Sequence, residues 1–258
     1  MEISNVCIVG IDNRMDFVEK NLYAKGYDVC REIAESDEKS IIIFPPPVNE
    51  GIFNKFKTYL KNGQIIYGGG ITKEVYEKIS NITGRVYDYL KWEEVVKENA
   101  YLTAKGIIKE AVLEKAVFQE ANCLVTGYGY CSKEIAKELK KLGANVDIAV
   151  RRKELRKEIE LQYDRYVDIN EMNRYNMEKY SYIFNTVPAM VLDKNILSHT
   201  SGNVMIFDIA SKPGGTDFDF CDSKGIYAVN SLGIPGRDFP EEAGNIIANG
   251  INEHIISL

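Results

Sequence analysis

Histidine is scarce in this chain of 258 residues, with only His199 and His254. Neither has a second ligand residue at metal-binding spacing, which argues against a histidine-built metal centre. A histidine-based catalytic triad would have to recruit one of the two. Cysteine is sparse as well. Cys7, Cys30, Cys123, Cys131 and Cys221 make an odd count with no CxxC pair, so no disulfide framework is suggested and a reducing compartment is the simple reading. An excess of basic residues is missing: 32 Lys and Arg face 38 Asp and Glu, a net charge of −6. That balance excludes a nucleic-acid binder held by overall charge. No apolar run is long enough to span a bilayer. The first five residues show no basic region leading into an apolar one, so no export signal is expected and the cytoplasm is the expected compartment. Low-complexity tracts and tandem repeats are absent too.

What is present begins with one stretch. The apolar run Cys123-Leu-Val enters a turn containing Gly127 and Gly129 and continues through Tyr130, Cys131 and Ser132. Ile135, Leu139 and Leu142 then recur at helical spacing. Strand, glycine turn and helix form the context expected of a dinucleotide-phosphate site. Gly127 permits the tight turn, and Gly129 lets a pyrophosphate approach the free N–H groups of the helix start. Ser132 stands where a third glycine is usual. Cys131 sits where a helix N-terminus can lower a thiol pKa, although a plain turn residue is the simpler reading.

Strand and helix alternate from residue 6 to about 90, which predicts a parallel sheet with helices on both faces. Its strand ends carry Asp12, the 45–47 proline loop and the 68–70 glycine loop. In such sheets these are ligand-facing positions. Residues 92–118 form the longest helical candidate, with a bend expected at Gly106. A second nucleotide-binding unit follows. The fold class is therefore α/β, two doubly wound parallel-sheet domains joined by a long connector helix. The expected divisions are a substrate domain at 1–92, the connector at 93–120, the cofactor domain at 121–238, and a helix at 239–258 packing back on the first domain.

The second strand of that unit ends in Arg151-Arg152-Lys153, where NAD-binding proteins place an acidic side chain. Asp147 is too early, in mid-strand. Arginines supply donors and charge for a 2′-phosphate, so the expected cofactor is NADP(H). Residues 180–186 form the crossing strand, which makes Thr186, Val187 and Pro188 candidate cofactor contacts. A later strand delivers Ser211, Lys212, Pro213, Gly214, Gly215, Thr216 and Asp217. Pro-Gly-Gly sharpens this turn, and its density of polar groups favours a site over a bare turn.

These motifs together resemble a known family. The runs Phe184-Asn-Thr-Val-Pro-Ala-Met190, Asp208-Ile-Ala-Ser-Lys-Pro-Gly-Gly-Thr-Asp-Phe218 and Gly233-Ile-Pro-Gly236 with Ala243-Gly244 are similar to the dipicolinate synthase A subunits. The likeness runs through both domains in order, and Arg151 matches a basic position of the family. The family usually reads Gly-x-Gly-Arg-Thr-Gly at the phosphate turn, where this chain has Tyr130, Cys131 and Ser132. Arg237-Asp238-Phe239 replaces a more apolar stretch. The resemblance implies a two-domain dehydrogenase-like fold, NADP as hydride acceptor, and partnership with a flavoprotein-like B subunit. It also implies a place in the mother-cell cytoplasm of a sporulating bacterium. Association of like chains is an alternative assembly.

The reaction so implied oxidises a small cyclic dihydropyridine dicarboxylate. Aromatisation drives it, so positioning matters more than a strong base. Lys212 and Arg237 are the expected carboxylate partners, with Ser211, Gly214, Gly215 and Thr216 around them. Asp217, or Asp12, is the candidate proton acceptor, and Lys212 and Asp217 form the expected catalytic pair. Two other readings are an NADP-dependent reductase of another small carboxylate, of shikimate or hydroxyacid type, and a nucleotide-sensing module without catalysis.

Overall fold

The computed structural model describes residues 5–258. The expectation about an export signal therefore concerns a stretch that lies almost wholly outside the described residues. Two compact units emerge, one of residues 1–99 with 235–258 and one of 100–234.

In the first unit the elements are β1 (Val6–Ile8), α1 (Asn13–Ala24), β2 (Val29–Cys30), β3 (Ile41–Ile43), α2 (Glu50–Phe56), β4 (Ile65–Gly68), α3 (Lys73–Thr83) and β5 (Arg85–Asp88). The strands pair in parallel in the order β2-β1-β3-β4-β5. β1, β3 and β4 are buried on both faces, which is why they read as continuous apolar runs rather than alternating ones. Asp12 caps α1 through the Arg14 amide. The buried face of α1, Met15, Val18 and Leu22, packs with β1 and β3.

α4 (Glu93–Leu113) follows. It is shorter than the expected 92–118 and carries no break at Gly106, which is buried within it. Lys115 adopts φ +67° just beyond its end and its amide turns back to the Val112 carbonyl, so the chain leaves the helix there. The division between the units falls inside α4, between Asn99 and Ala100.

The second unit contains β6 (Asn122–Thr126), α5 (Tyr130–Lys141), β7 (Asn145–Val150), α6 (Arg156–Gln162), β8 (Arg165–Asp168), β9 (Tyr182–Asn185), α7 (Lys194–Leu197), β10 (Met205–Asp208), α8 (Phe218–Lys224) and β11 (Tyr227–Asn230). Its parallel sheet runs β11-β10-β9-β6-β7-β8, the dinucleotide-binding order with its reversal between β6 and β9. Asp147 lies within β7 and is 4% exposed. The Lys179 ammonium and the Tyr180 hydroxyl donate to its carboxylate at 2.5 and 2.7 Å, so this acid serves the interior of the unit.

α9 (Ile234–Asp238) and α10 (Pro240–Ser257) close the chain. Ile247, Ala248 and Ile251 of α10 join the apolar cluster that contains Met15, Val18 and Leu22 of α1. Arg237 thus counts with the first unit, not with the unit that carries the glycine turn.

Candidate functional site

At the β6/β9 reversal, hydrogen bonds tie the two strand ends together. Thr126 Oγ1 donates to Asn185 Oδ1 at 2.5 Å, and Thr186 Oγ1 donates to the Thr126 carbonyl at 2.7 Å. The Val187 amide donates to Asn185 Oδ1 at 3.1 Å. Asn185 is fully buried. This network sets the place where Gly127 turns. Gly127 has φ +90°, and a Cβ there would run into Thr186 Oγ1. Both the dihedral and the contact call for glycine.

Gly129 is the N-cap residue of α5, and a Cβ built on it would meet no heavy atom within 4 Å. The backbone at Gly129 is therefore uncovered on its Cβ side, at a helix start whose first N–H groups have no partner within the helix. Ser132, in the place of the third glycine, is fully buried and donates its hydroxyl to the Gly129 carbonyl at 3.0 Å. The substitution is accommodated inside the helix's own first turn. Tyr130 is exposed. Cys131 is half-buried, and burial pushes its thiol pKa up, with partial opposition from a hydrogen bond to Thr103. The helix-terminus effect expected from the sequence is outweighed there by loss of solvent.

Beside this turn lies a cavity of about 400 Å³, lined among others by Gly127, Tyr128, Arg151, Arg152, Val187 and Pro188. Residues from three sequence regions thus meet at one place. Arg151 and Arg152 are exposed, and neither forms an ion pair with any described residue. Lys153 differs. Its ammonium lies 3.2 Å from Asp168, and that contact raises its pKa. A second, more polar cavity of about 210 Å³ continues past Arg151 to Asn170, Asn173 and Asn195.

The 211–217 loop is organised by Asp208, which the sequence alone does not single out. Asp208 is 1% exposed. It accepts from the Ala210 amide at 2.8 Å, the Gly215 amide at 3.2 Å and the Thr216 hydroxyl at 2.7 Å. Its local signal is an acid closing an apolar strand just before a loop of small residues. The expected substrate contacts change accordingly. Thr216 is buried and its one hydroxyl proton is committed to Asp208, so it offers a substrate no donor. The Gly215 amide is likewise committed. The Gly214 amide donates to the Ser211 carbonyl at 2.9 Å. Asp217 caps α8, with Oδ1 accepting from the Phe220 amide at 3.0 Å. Ser211 and Lys212 are exposed, and their side chains have no partner among the described residues.

Two further candidates lie in the first unit. Arg237 is chelated by its neighbour Asp238, both contacts at 2.9 Å, so the carboxylate role expected for it meets a competitor in the next residue. Asp12 is held by Arg14 at 2.8 and 2.7 Å. Burial alone would raise the Asp12 pKa, but the hydrogen bonds and charge of Arg14 outweigh it and leave the carboxyl below its ordinary value. That makes Asp12 a poorer proton acceptor than an unpaired aspartate. Neither histidine lines the cavity at the glycine turn. His199 Nδ1 donates to the Asn195 carbonyl at 2.6 Å, and His254 is packed among aromatic rings of the first unit. Among the described residues no cluster of His, Cys, Asp and Glu could hold a metal ion. No helix of these residues is long and apolar enough to cross a membrane.

Sheet order, glycine turn and two-unit layout define the fold of the two-domain dehydrogenases. The chain matches an L-alanine dehydrogenase structure with a TM-score of 0.64 at 14% identity, over 98% of this chain and 89% of that one. More particularly, it is similar to the A subunit of dipicolinate synthase. It is 29% identical to that protein from Bacillus subtilis (strain 168) over 168 residues, 64% of this chain. The match spans 56% of the relative's own length, little more than half of it. The crystal structure of the Bacillus halodurans protein superposes with a TM-score of 0.83 at 24% identity, over 97% of each chain. No protein-family model matches. The resemblance read from the 184–190, 208–218 and 233–244 motifs therefore stands.

Proposed function

We propose that this protein uses NADP to oxidise a dihydrodipicolinate precursor to dipicolinate, in partnership with a flavoprotein-like B subunit and in the mother-cell cytoplasm. The observation that carries this reading is the glycine turn at Gly127 and Gly129 beside a cavity lined by Arg151 and Arg152, which have no ion-pair partners among the described residues, in a chain similar to the dipicolinate synthase A subunits.

The residues present fit the cofactor. Amides at the start of α5 meet the diphosphate. Arg151 and Arg152 meet the 2′-phosphate, where a planar fork suits a phosphate better than an ammonium does. Val187 and Pro188 wall the same cavity, and Thr186 packs against Gly127 at its edge. When bound, NADP supplies a two-electron acceptor. The chain's own task is to hold the substrate ring and receive a proton. Lys212 offers an unpaired ammonium to a substrate carboxylate, and Ser211 adds a hydroxyl. Asp217 keeps Oδ2 free of partners and is the proton acceptor in this reading.

The test is an NADP-reduction assay on freshly made dihydrodipicolinate, with and without the B subunit. Dipicolinate and NADPH should form in equal amounts. Tight NADPH binding without turnover, even with B present, would leave a nucleotide sensor as the better description.

A further inference from the structure

The first unit has a reversal of its own. In the order β2-β1-β3-β4-β5, the chain leaves β1 and β3 toward opposite sides. Open parallel sheets bind ligands in the crevice beyond the strand ends at such a point. Here β1 leads into Asp12 and Arg14, and β3 leads into the prolines at 45–47.

Arg14 spans that crevice. Its Nε and Nη2 donate to the two Asp12 oxygens at 2.8 and 2.7 Å, and Nη2 also donates to the Pro46 carbonyl at 3.3 Å. A guanidinium has five N–H donors, and these contacts use the Nε and Nη2 side. The Nη1 edge has no hydrogen-bond partner among the described residues. The side chain is nevertheless only 16% exposed.

The surroundings hold that edge in place. Gly236 lies against it, and a Cβ there would come within 2.8–3.1 Å of Cζ, Nε and Nη1. The Tyr89 hydroxyl donates to the Phe44 carbonyl at 2.9 Å, pinning the base of the proline loop. The buried Asp88 carboxylate accepts from the Gly70 and Ile71 amides at 3.0 and 3.1 Å, pinning the glycine loop. A cation clamped on one side and unpaired on the other is preorganised for an anionic ligand.

We infer that the free Nη1 edge of Arg14 is a carboxylate-binding site of the first unit, taking a small planar carboxylate, and that Asp12 is the residue that aims it. This goes further than the assignment of Lys212 and rests on the dicarboxylate reading above for the ligand's identity. It also gives Asp12 a positioning role in place of proton transfer, and it explains a glycine at position 236.

The test is calorimetric titration of the full chain at low ionic strength with dipicolinate and, separately, with pyruvate. The variants are Arg14→Gln, Arg14→Lys and Gly236→Ala. Near-UV circular dichroism checks their fold, and NADPH affinity serves as an independent control on the second unit. Arg14→Gln should weaken dipicolinate about ten- to a hundredfold. Arg14→Lys and Gly236→Ala should each weaken it about tenfold or more, because one loses the fork and the other displaces it. Dipicolinate binding that is equally tight in folded Arg14 variants would overturn the inference and leave the proposed function intact. Binding of pyruvate but not dipicolinate, lost in Arg14→Gln, would support the site and sink the dicarboxylate reading. A wild-type chain that binds neither carboxylate would overturn the site.

Discussion

The hydroxyl of Tyr67 on β4 lies 2.8 Å from Nδ1 of His254 on α10. Trp92 stacks on the same imidazole at a ring distance of 5.2 Å, and Tyr87 lies 4.2 Å from it. Burial among these rings lowers the His254 pKa below its ordinary value of 6.5, so the folded protein favours a neutral ring hydrogen-bonded to the tyrosine hydroxyl. The sign follows from linkage. Above pH 6.5 this stabilisation is complete. As the pH falls from there through the lowered folded value, the unfolded chain takes up the proton first and stability is lost. Wild-type Tm should therefore drop more between pH 7.5 and 5.5 than that of His254→Phe. Tyr67→Phe should cost about 1 kcal/mol at pH 7.5, measured by denaturant unfolding.

Gly127→Ala should abolish measurable NADPH binding. The residue has φ +90°, and its side chain would collide with Thr186. Strain of this kind costs about 1–3 kcal/mol, so the variant should also melt earlier. A variant with wild-type affinity would place the phosphates elsewhere.

Arg151→Ala and Arg152→Ala test the cofactor preference. Each should weaken NADPH about tenfold or more, the value of a charge-assisted hydrogen bond. NADH affinity should change little. Equal losses for both nucleotides would mean that the arginines meet the diphosphate or the adenine instead.

Lys212→Ala should raise KM for the dihydropyridine substrate at least about tenfold while leaving NADPH affinity unchanged, because the exposed ammonium has no partner among the described residues to lose. Wild-type kinetics would remove Lys212 from the site.

Asp208→Ala should be the most damaging of these substitutions for stability. It leaves two amides and one hydroxyl in the interior without their acceptor, at a cost of about 3 kcal/mol or more. Asp208→Asn keeps one acceptor oxygen and should cost less. Urea unfolding of both variants checks the order.

The glycine turn and the strand runs were legible because they are local. Gly127 and Gly129 follow an apolar run and precede helical spacing, and nothing distant is needed to see that. Arg151 and Arg152 became candidates from their offset after that turn. The parts that Thr216 and Asp217 play within the loop itself could not be read, because polar residues there look alike whether they serve a ligand or the loop. The buried Asp208 carboxylate and the α8 amide that engage them appear only once the chain is folded. Arg14 went unassigned for a related reason. Its significance depends on β1 lying beside β3 and on Gly236 coming from the far end of the chain.

Local sequence was enough to dictate the alternation of strand and helix, the parallel sheets and the place of the glycine turn. Each of these follows from periodicity and backbone conformation within a dozen or so residues. Which polar groups remain free was settled only by the folded chain. A hydrogen-bonding group is available to a ligand only when no neighbour in space has already engaged it, and those neighbours are brought in by strand order and by packing. That is why Asp208 and Asp12 became framework, Lys212 stayed unpaired among the described residues, and one edge of Arg14 was left open beyond the ends of two adjacent strands.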